Sequence, residues 1–323
     1  MYKSLTYELS ENMTPYKGLS LVDKPSFDRV LEKLQPETSD LTFTNLFMWQ
    51  DSYQIYTRYM EDADYWLLLA KPQNKWNPFF LPPVGDWTDR EKLERVLKFM
   101  DHWACEERFN LSLRRVPKRL AEGLYQIDPS LSLREDRRTF DYLYKSEDLV
   151  KLAGRNYHGK RNHLNQFQRK YNWEYQRMDS EILRECLMLD AEWCNIKNAL
   201  RTDDNLDDEE RAIAMVIQNY QDLGVVGGVI RIDGRIQAIA VGEMLNKNTA
   251  VIHIEKGNTE FEGIYAAINQ QFASGEWANV EFINREEDMG LEGLRKAKLS
   301  YHPAQLIEKF SIMRPEKEVH HEA

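Results

Sequence analysis

The chain has 323 residues, 42% of them hydrophobic and 30% charged, with a formal net charge of −10 and a pI near 5.4. That length suits two domains of ordinary size, and the apolar fraction excludes a disordered chain. The acidic balance excludes wholesale attachment to DNA or to an anionic membrane, because phosphate-directed affinity needs a basic field, so any anion site must be local.

The N-terminus, MYKSLTYELSENM, has no apolar h-region, and no later stretch reaches the roughly 18 apolar residues of a membrane span. A cytoplasmic protein without a transmembrane segment is expected. Cys105, Cys186 and Cys194 are odd in number and lack CxxC spacing, which supports neither a disulfide framework nor a cysteine zinc site. His158 and His163 have no third ligand near them, and His320-His321 falls in a polar tail, so no metal is expected.

In the first half, Asp23-Lys24-Pro25-Ser26 before FDRVLEKL reads as a helix with a cap and a proline in its first turn. QIYTRYM and YWLLLAK have the β-branched and aromatic content of strands, and the proline-rich WNPFFLPPVGDW predicts no regular interior strand. DREKLERVLKFMDHWACEERF is an amphipathic helix followed by a strand, FNLSLRRV. A short helix at KRLAEGLYQ and a strand at RRTFDYLY complete this half. Residues 151–172 read as a basic helical connector in which Lys151, Arg155, Lys160, Arg161, Arg169 and Lys170 occur without an acidic residue up to Lys170.

In the second half, WEYQRM is a strand, the segment after Ser180 is a helix, and DDEERAIAMVIQNYQDL is another with its acids at the positive end. VVGGVIRI, RIQAIAVGEML and TAVIHIEK follow, joined by Asp233-Gly234 and Asn246-Lys247-Asn248. Asp-Gly is a strong hairpin signal because both central residues of a type I′ turn need positive φ, so these three strands predict an antiparallel meander. A helix at EGIYAAINQQFAS, a strand at NVEFINRE, a helix at MGLEGLRKAKLSY and a strand at AQLIEKFSIM close the chain. A doubly wound nucleotide-binding fold would not place a meander before the crossover. The order is that of the acetyltransferase fold, with a mixed sheet splayed near its middle.

Two motifs carry a family resemblance. Lys160 to Phe167, KRNHLNQF, and Asn284 to Pro303, NREEDMGLEGLRKAKLSYHP, resemble a bacterial family related to the soluble C-terminal domain of phosphatidylglycerol lysyltransferases. That family is similar in fold to acetyltransferases of the GNAT type and, as a tandem, to the Fem aminoacyl transferases. The resemblance implies an α/β (α+β) protein of two tandem acetyltransferase-like domains, each a mixed, mainly antiparallel sheet flanked by helices. The expected boundaries are 1–150, a connector at 151–172, 173–315 and a polar tail at 316–323. It further implies an acyl- or aminoacyl-transferase that moves an activated group from an aminoacyl-tRNA or acyl-coenzyme A donor to an amine or hydroxyl, with no tightly bound cofactor. The alternative is a non-catalytic binding or regulatory module that keeps the fold.

Candidate site residues follow. In acetyltransferases a glycine-rich turn before the central helix holds the coenzyme A pyrophosphate. Here that turn contains Lys256, Gly257 and Gly263, with Glu260 and Glu262 opposing an anion. Asn284 and Arg285, at the end of a buried strand, are placed to position a substrate, with Glu287 or Glu255 as base; Glu243 on the neighbouring strand competes for that role. Arg285 is expected half-exposed at a sheet edge, where losing its partner costs only about 0 to 1 kcal/mol. Tyr301 stands where related acetyltransferases carry the tyrosine that protonates the leaving group. Of Lys296 and Lys298, two apart on one helix, only one can face a site, and Lys298 is the candidate. Lys160, Arg161, Asn162 and His163 are the candidates for gripping an anionic donor.

Overall fold

The structure, a computed structural model, describes residues 16–72, 77–186 and 204–315, the side chains of 204–207 excepted. Cys194, part of the helix after Ser180 and the tail at 316–323 lie outside the described residues. No helix among the described residues is long and apolar enough to cross a membrane. The chain forms two compact units, one through Pro36, Asp40–Phe140 and from Glu308 onward, the other Glu37–Ser39 and Asp141–Ile307.

The first unit contains β1 (Lys17–Gly18), α1 (Lys24–Leu34), α2 (Phe43–Tyr53), β2 (Ile55–Met60), β3 (Tyr65–Ala70), β4 (Phe79–Phe80), α3 (Arg90–Glu106), β5 (Ser112–Pro117), α4 (Lys118–Ile127) and β6 (Ser132–Glu135). The last strand of the chain, β14 (Lys309–Met313), joins them, and the sheet order is β1-β2-β3-β4-β5-β14-β6. All six residues of β3 are buried, as its near-continuous apolar run requires of an interior strand. Asp89 caps α3 by accepting from the Lys92 amide at 3.1 Å, and Leu93, Val96, Met100 and Trp103 of that helix are buried at helical spacing. The proline-rich segment does supply an interior strand, β4, but only two residues of it: prolines before and after Phe79-Phe80 lack the donor a longer ladder needs.

The second unit contains β7 (Asp141–Lys145), α5 (Ser146–Lys151), α6 (His158–Lys170), β8 (Trp173–Arg177), α7 (Asp204–Gln218), β9 (Val226–Ile232), β10 (Arg235–Asn246), β11 (Thr249–Gly257), α8 (Ile264–Glu276), β12 (Phe282–Asn284), α9 (Glu292–Leu299) and β13 (Gln305–Ile307). Its sheet order is β13-β7-β12-β11-β10-β9-β8. The meander forms as its turns dictate: Asp233 and Gly234 have φ of 50° and 79° between β9 and β10. Ala238, Ala240, Ala250 and Ile252 of the sheet pack with Ile264, Ala267, Ile268 and Phe272 of α8 in the unit's main core.

The division differs from the expected boundaries at both ends. RRTFDYLY does not end the first sheet, because β7 pairs with β12 and β13. AQLIEKFSIM is not one strand but two, β13 in the second sheet and β14 in the first, inserted between β5 and β6. Lys309 fixes this switch: fully buried, its ammonium pairs with Asp40, which also accepts from Arg115 at 2.6 Å. The basic stretch is not a free connector either. Gly154, with φ of 80°, separates α5 from α6, and Leu164 and Phe167 of α6 belong to the second core.

Two irregularities open the second sheet. Strands β11 and β12 are parallel neighbours only from Thr249 and Phe282 to Val251 and Asn284; β11 then continues to Gly257 while β12 stops. Between β10 and β11 the register passes from Val241 opposite Ile254 to Gly242 opposite Ile252, leaving His253 as the extra residue of a bulge. A side chain at position 242 would place its Cβ 2.3 Å from the Val251 carbonyl oxygen, so glycine is required there. Bulges of this kind re-aim side chains and bend strands apart.

Candidate functional site in the opened sheet

Six segments place polar side chains at the opening beyond Val251. Glu255 on β11 accepts from Arg285 Nη2 at 2.8 Å and, with its other oxygen, from Asn269 Nδ2 of α8 at 3.1 Å. The Arg285 guanidinium lies 4.9 Å from the Tyr301 ring centroid and 5.7 Å from that of Tyr144 on β7. Lys160 of α6 sets its ammonium 4.0 Å from the centroid of the same Tyr301 ring. Tyr157 holds Tyr301 in place, donating to its carbonyl at 2.9 Å, and Tyr144 donates to the Lys298 carbonyl at 2.8 Å.

Two atoms of this cluster are unsatisfied. Arg285 Nη1 and Asn269 Oδ1 have no hydrogen-bond partner among the described residues, although Asn269 is fully buried and the Arg285 side chain is only 12% exposed. Each unmade bond in such a place costs about 1 to 3 kcal/mol. One orphan is a cationic donor and the other a neutral acceptor, and both belong to residues that share Glu255.

The electrostatics are strongly perturbed. Burial works against the charge of Arg285, but Glu255 and the two tyrosines leave its pKa above the ordinary arginine value. Burial, reinforced by Arg285, lowers that of Lys160. Burial, aided by Glu255 and opposed by Arg285, pushes Tyr301 up to about 12, so it keeps its proton across the physiological range. Clusters in which burial and charge partners compete in this way are characteristic of functional sites.

The loop after β12 holds Arg285 in place. Asn284 donates to Asp141 at 3.0 Å and accepts the Glu286 amide at 2.8 Å. The Arg285 amide donates to the Tyr142 carbonyl at 3.0 Å, and the Tyr142 amide to the Glu286 carbonyl at 3.2 Å. Lys298 is buried with its ammonium donating to the carbonyls of Arg285 and Glu287, the latter at 2.6 Å, and burial lowers its pKa to about 8. Asp288, fully buried, accepts from Tyr142 at 2.6 Å and from Arg295. Asn284 and Lys298 therefore shape the loop rather than face the opening.

The other candidates are dispersed. Arg161 donates to the carbonyls of Leu152 and Gly154, closing the end of α5. Asn162 and His163 are exposed on α6, and Lys256 pairs with Glu209 of α7 at 2.5 Å. Glu287 is half-buried, its carbonyl taken by Lys298. Gly257 packs against Ile264, and Gly263, with φ of 87°, would put a Cβ 2.7 Å from the His163 carbonyl oxygen of α6. Four amides of the turn between them are bonded within the protein. The amides of Glu260 and Phe261 bond to Asn258, that of Glu262 to the Tyr171 hydroxyl at 3.1 Å, and that of Ile264 to the Phe261 carbonyl. Arg285 is not half-exposed as expected: its side chain is 12% exposed, paired with Glu255 and set against the rings of Tyr144 and Tyr301.

Residues 31–313 match the family described as phosphatidylglycerol lysyltransferase, C-terminal. The chain belongs to that family. No curated protein matches it. Among solved structures, a conserved protein of unknown function from Bacteroides thetaiotaomicron is 33% identical, covering 93% of this chain and 99% of its own, with a TM-score of 0.82. L-PGS from Bacillus licheniformis is 14% identical, covering 92% of this chain and 93% of its own, with a TM-score of 0.63. FemX is 11% identical, covering 93% and 97%, with a TM-score of 0.61. The latter two share the fold, which is also that of a tandem GNAT protein.

Within this family frame, three members of the opened sheet escape sequence reasoning. His253, Asn269 and Tyr144 sit inside apolar runs, TAVIHIEK, YAAINQQF and DYLYK. The signal was present in the first: His253 and Glu255 are ionisable residues two apart on a strand otherwise built for burial, and such residues are costly there without partners.

Proposed function

We propose that this chain is a cytoplasmic transferase that takes an aminoacyl group from an ester donor, of which aminoacyl-tRNA is the large form, and passes it to an amine or hydroxyl. The observation that carries this reading is the orphan pair at Arg285 Nη1 and Asn269 Oδ1. An aminoacyl ester offers a carbonyl oxygen to the arginine and an α-ammonium to the asparagine, with the Glu255 carboxylate beside it. A plain acetyl group has no donor and would leave Asn269 unsatisfied. The amides of Glu260, Phe261, Glu262 and Ile264 in the turn that would hold a coenzyme A pyrophosphate are bonded within the protein, and Glu260 and Glu262 oppose an anion there, which supports the ester donor over coenzyme A.

In the proposed reaction the acceptor lone pair attacks the ester carbonyl carbon. Negative charge develops on the carbonyl oxygen facing Arg285, a donor fixed before the reaction and therefore not reorganised during it. The new C–N or C–O bond forms as the ester C–O bond breaks: the leaving oxygen takes a proton from Tyr301, Lys160 near the same ring stabilises the resulting phenolate, and the phenolate recovers the proton that the acceptor sheds. The test is calorimetry with a hydrolysis-stable 3′-(aminoacylamido)adenosine against acetyl-coenzyme A, followed by mass spectrometry of transfer products from the ester. Binding of the adenosine derivative alone, lost in Arg285→Lys, is expected. Preference for acetyl-coenzyme A would overturn the reading, and tight binding without turnover would point to the non-catalytic module.

A further inference from the structure

On the loop that carries Arg285, the next side chain reaches a different partner. The Glu286 carboxylate lies 2.9 Å from His253 Nδ1, and the carboxylate of Glu243 on β10 lies 2.9 Å from His253 Nε2. The imidazole is fully buried, while Glu243 and Glu286 are 14% and 24% exposed. A neutral imidazole has a single N–H and can donate to only one carboxylate. Two carboxylates at hydrogen-bond distance, one on each nitrogen, therefore fit the imidazolium.

The backbone explains what this bridge holds. Glu286 has φ of 56°, a left-handed conformation that a non-glycine residue keeps only where its surroundings impose it. Lys298 of α9 grips the carbonyls on both sides of it, those of Arg285 and Glu287, and its charge also faces Glu286. His253 is itself the bulged residue of β11, so the element that opens the sheet and the loop that fills the opening meet at one ring.

We propose that His253 is a positioning residue: by bridging Glu243 and Glu286 it clamps the 284–288 loop to β10 and β11 and aims Arg285 into the opening, so that ligand affinity falls when the bridge loses its proton. This rests on the reading of the opening as a ligand site. Burial opposes the charge, but the bonds to Glu243 and Glu286 outweigh it and raise the histidine to about 9. Because the folded value lies above the ordinary 6.5, the bridge contributes fully below about pH 6.5 and is lost as pH rises through about 9.

The experiment follows three readouts from pH 6 to 10: the His253 ring resonance in histidine-labelled protein, hydrogen exchange of the Glu286 and Gly290 amides, and affinity for the 3′-(aminoacylamido)adenosine. In the wild type the ring should titrate near 9, with loop protection falling alongside it. Glu286→Gln and Glu243→Gln should each bring the ring's midpoint down by at least one pH unit. His253→Gln should weaken binding at least tenfold at pH 7 and remove the histidine limb from the exchange profile. Should His253→Gln fail to fold, the two glutamine variants at the carboxylates carry the test. A wild-type midpoint near 6.5, or loop protection indifferent to the ring's proton, overturns the clamp. If the adenosine derivative never binds but protection still follows the ring, the ligand reading fails and the clamp stands. If it binds with an affinity unaffected by these variants, the clamp fails and the ligand reading stands.

Discussion

Replacing Arg285 with alanine separates structure from function in the opened sheet. The Arg285 and Glu255 side chains are 12% and 14% exposed, and removing one partner of a buried pair costs about 3 to 5 kcal/mol because the other charge is left uncompensated. Two features reduce that cost. Asn269 still donates to Glu255, and the variant loses the orphan Nη1, whose unmade bond is worth about 1 to 3 kcal/mol. A net loss of roughly 2 to 4 kcal/mol is expected, which lowers Tm by roughly 5 to 15 °C for a unit of this size. The double variant Arg285→Met, Glu255→Gln keeps an acceptor for Asn269 and leaves no charge behind, so it should return to within about 1 kcal/mol of wild type. Both variants should bind the adenosine derivative at least tenfold more weakly, roughly 1.4 kcal/mol or more. Urea unfolding of the single and double variants, with calorimetry on the same preparations, measures all of this. A single variant as stable as wild type, or a double variant no better than the single, would refute the argument from burial.

Tyr301→Phe should leave stability within about 1 kcal/mol while transfer falls at least tenfold, checked by single-turnover kinetics alongside thermal unfolding. Gly263→Ala should destabilise by at least about 2 kcal/mol, since the new Cβ meets the His163 carbonyl at 2.7 Å in a left-handed backbone, and thermal unfolding reports it. Lys298→Met should change how stability depends on pH. With its folded pKa near 8 and its unfolded value near 10.5, Lys298 holds a proton only in the unfolded chain between those values, so wild-type stability gains roughly 3 kcal/mol from it as pH rises through that window. Measured by urea unfolding, the stability of wild type relative to the variant should rise by roughly 3 kcal/mol between pH 8 and 10.5, the loss from His253 being common to both.

Sequence reading works where one local rule decides the outcome. The Asp233-Gly234 turn sets the meander, the cap at Asp89 starts α3, and the uninterrupted apolar run of β3 declares an interior strand. Lys160 from the basic run, Glu255 from the meander, Arg285 from the polar end of a buried strand and Tyr301 from the family resemblance lie together in the structure. Asn269 and His253 needed partners that only the tertiary fold supplies: Glu255 is 14 residues from the first, and Glu286 is 33 from the second. Arg161 and Lys298 look like ligand cations in sequence, yet their charges satisfy backbone carbonyls, an acceptor that leaves no trace in residue identity. The switch of strand at Glu308 is hidden for a similar reason, since β13 and β14 read as one apolar run and only the buried Lys309 marks the break.

That switch constrains how the protein can be made. The first sheet has β14 between β5 and β6, so its ladder cannot close until residues 309–313 have been synthesised, more than 170 residues after β6. During translation the N-terminal unit must therefore wait with the edges of β5 and β6 unpaired, while the second unit has all its strands in hand by Ile307. The order of completion on the ribosome is thus the reverse of the order of the chain. A fragment ending at Ile307 would carry two bare edges into solution, and expressing the N-terminal unit alone calls for supplying the last strand in trans or by circular permutation.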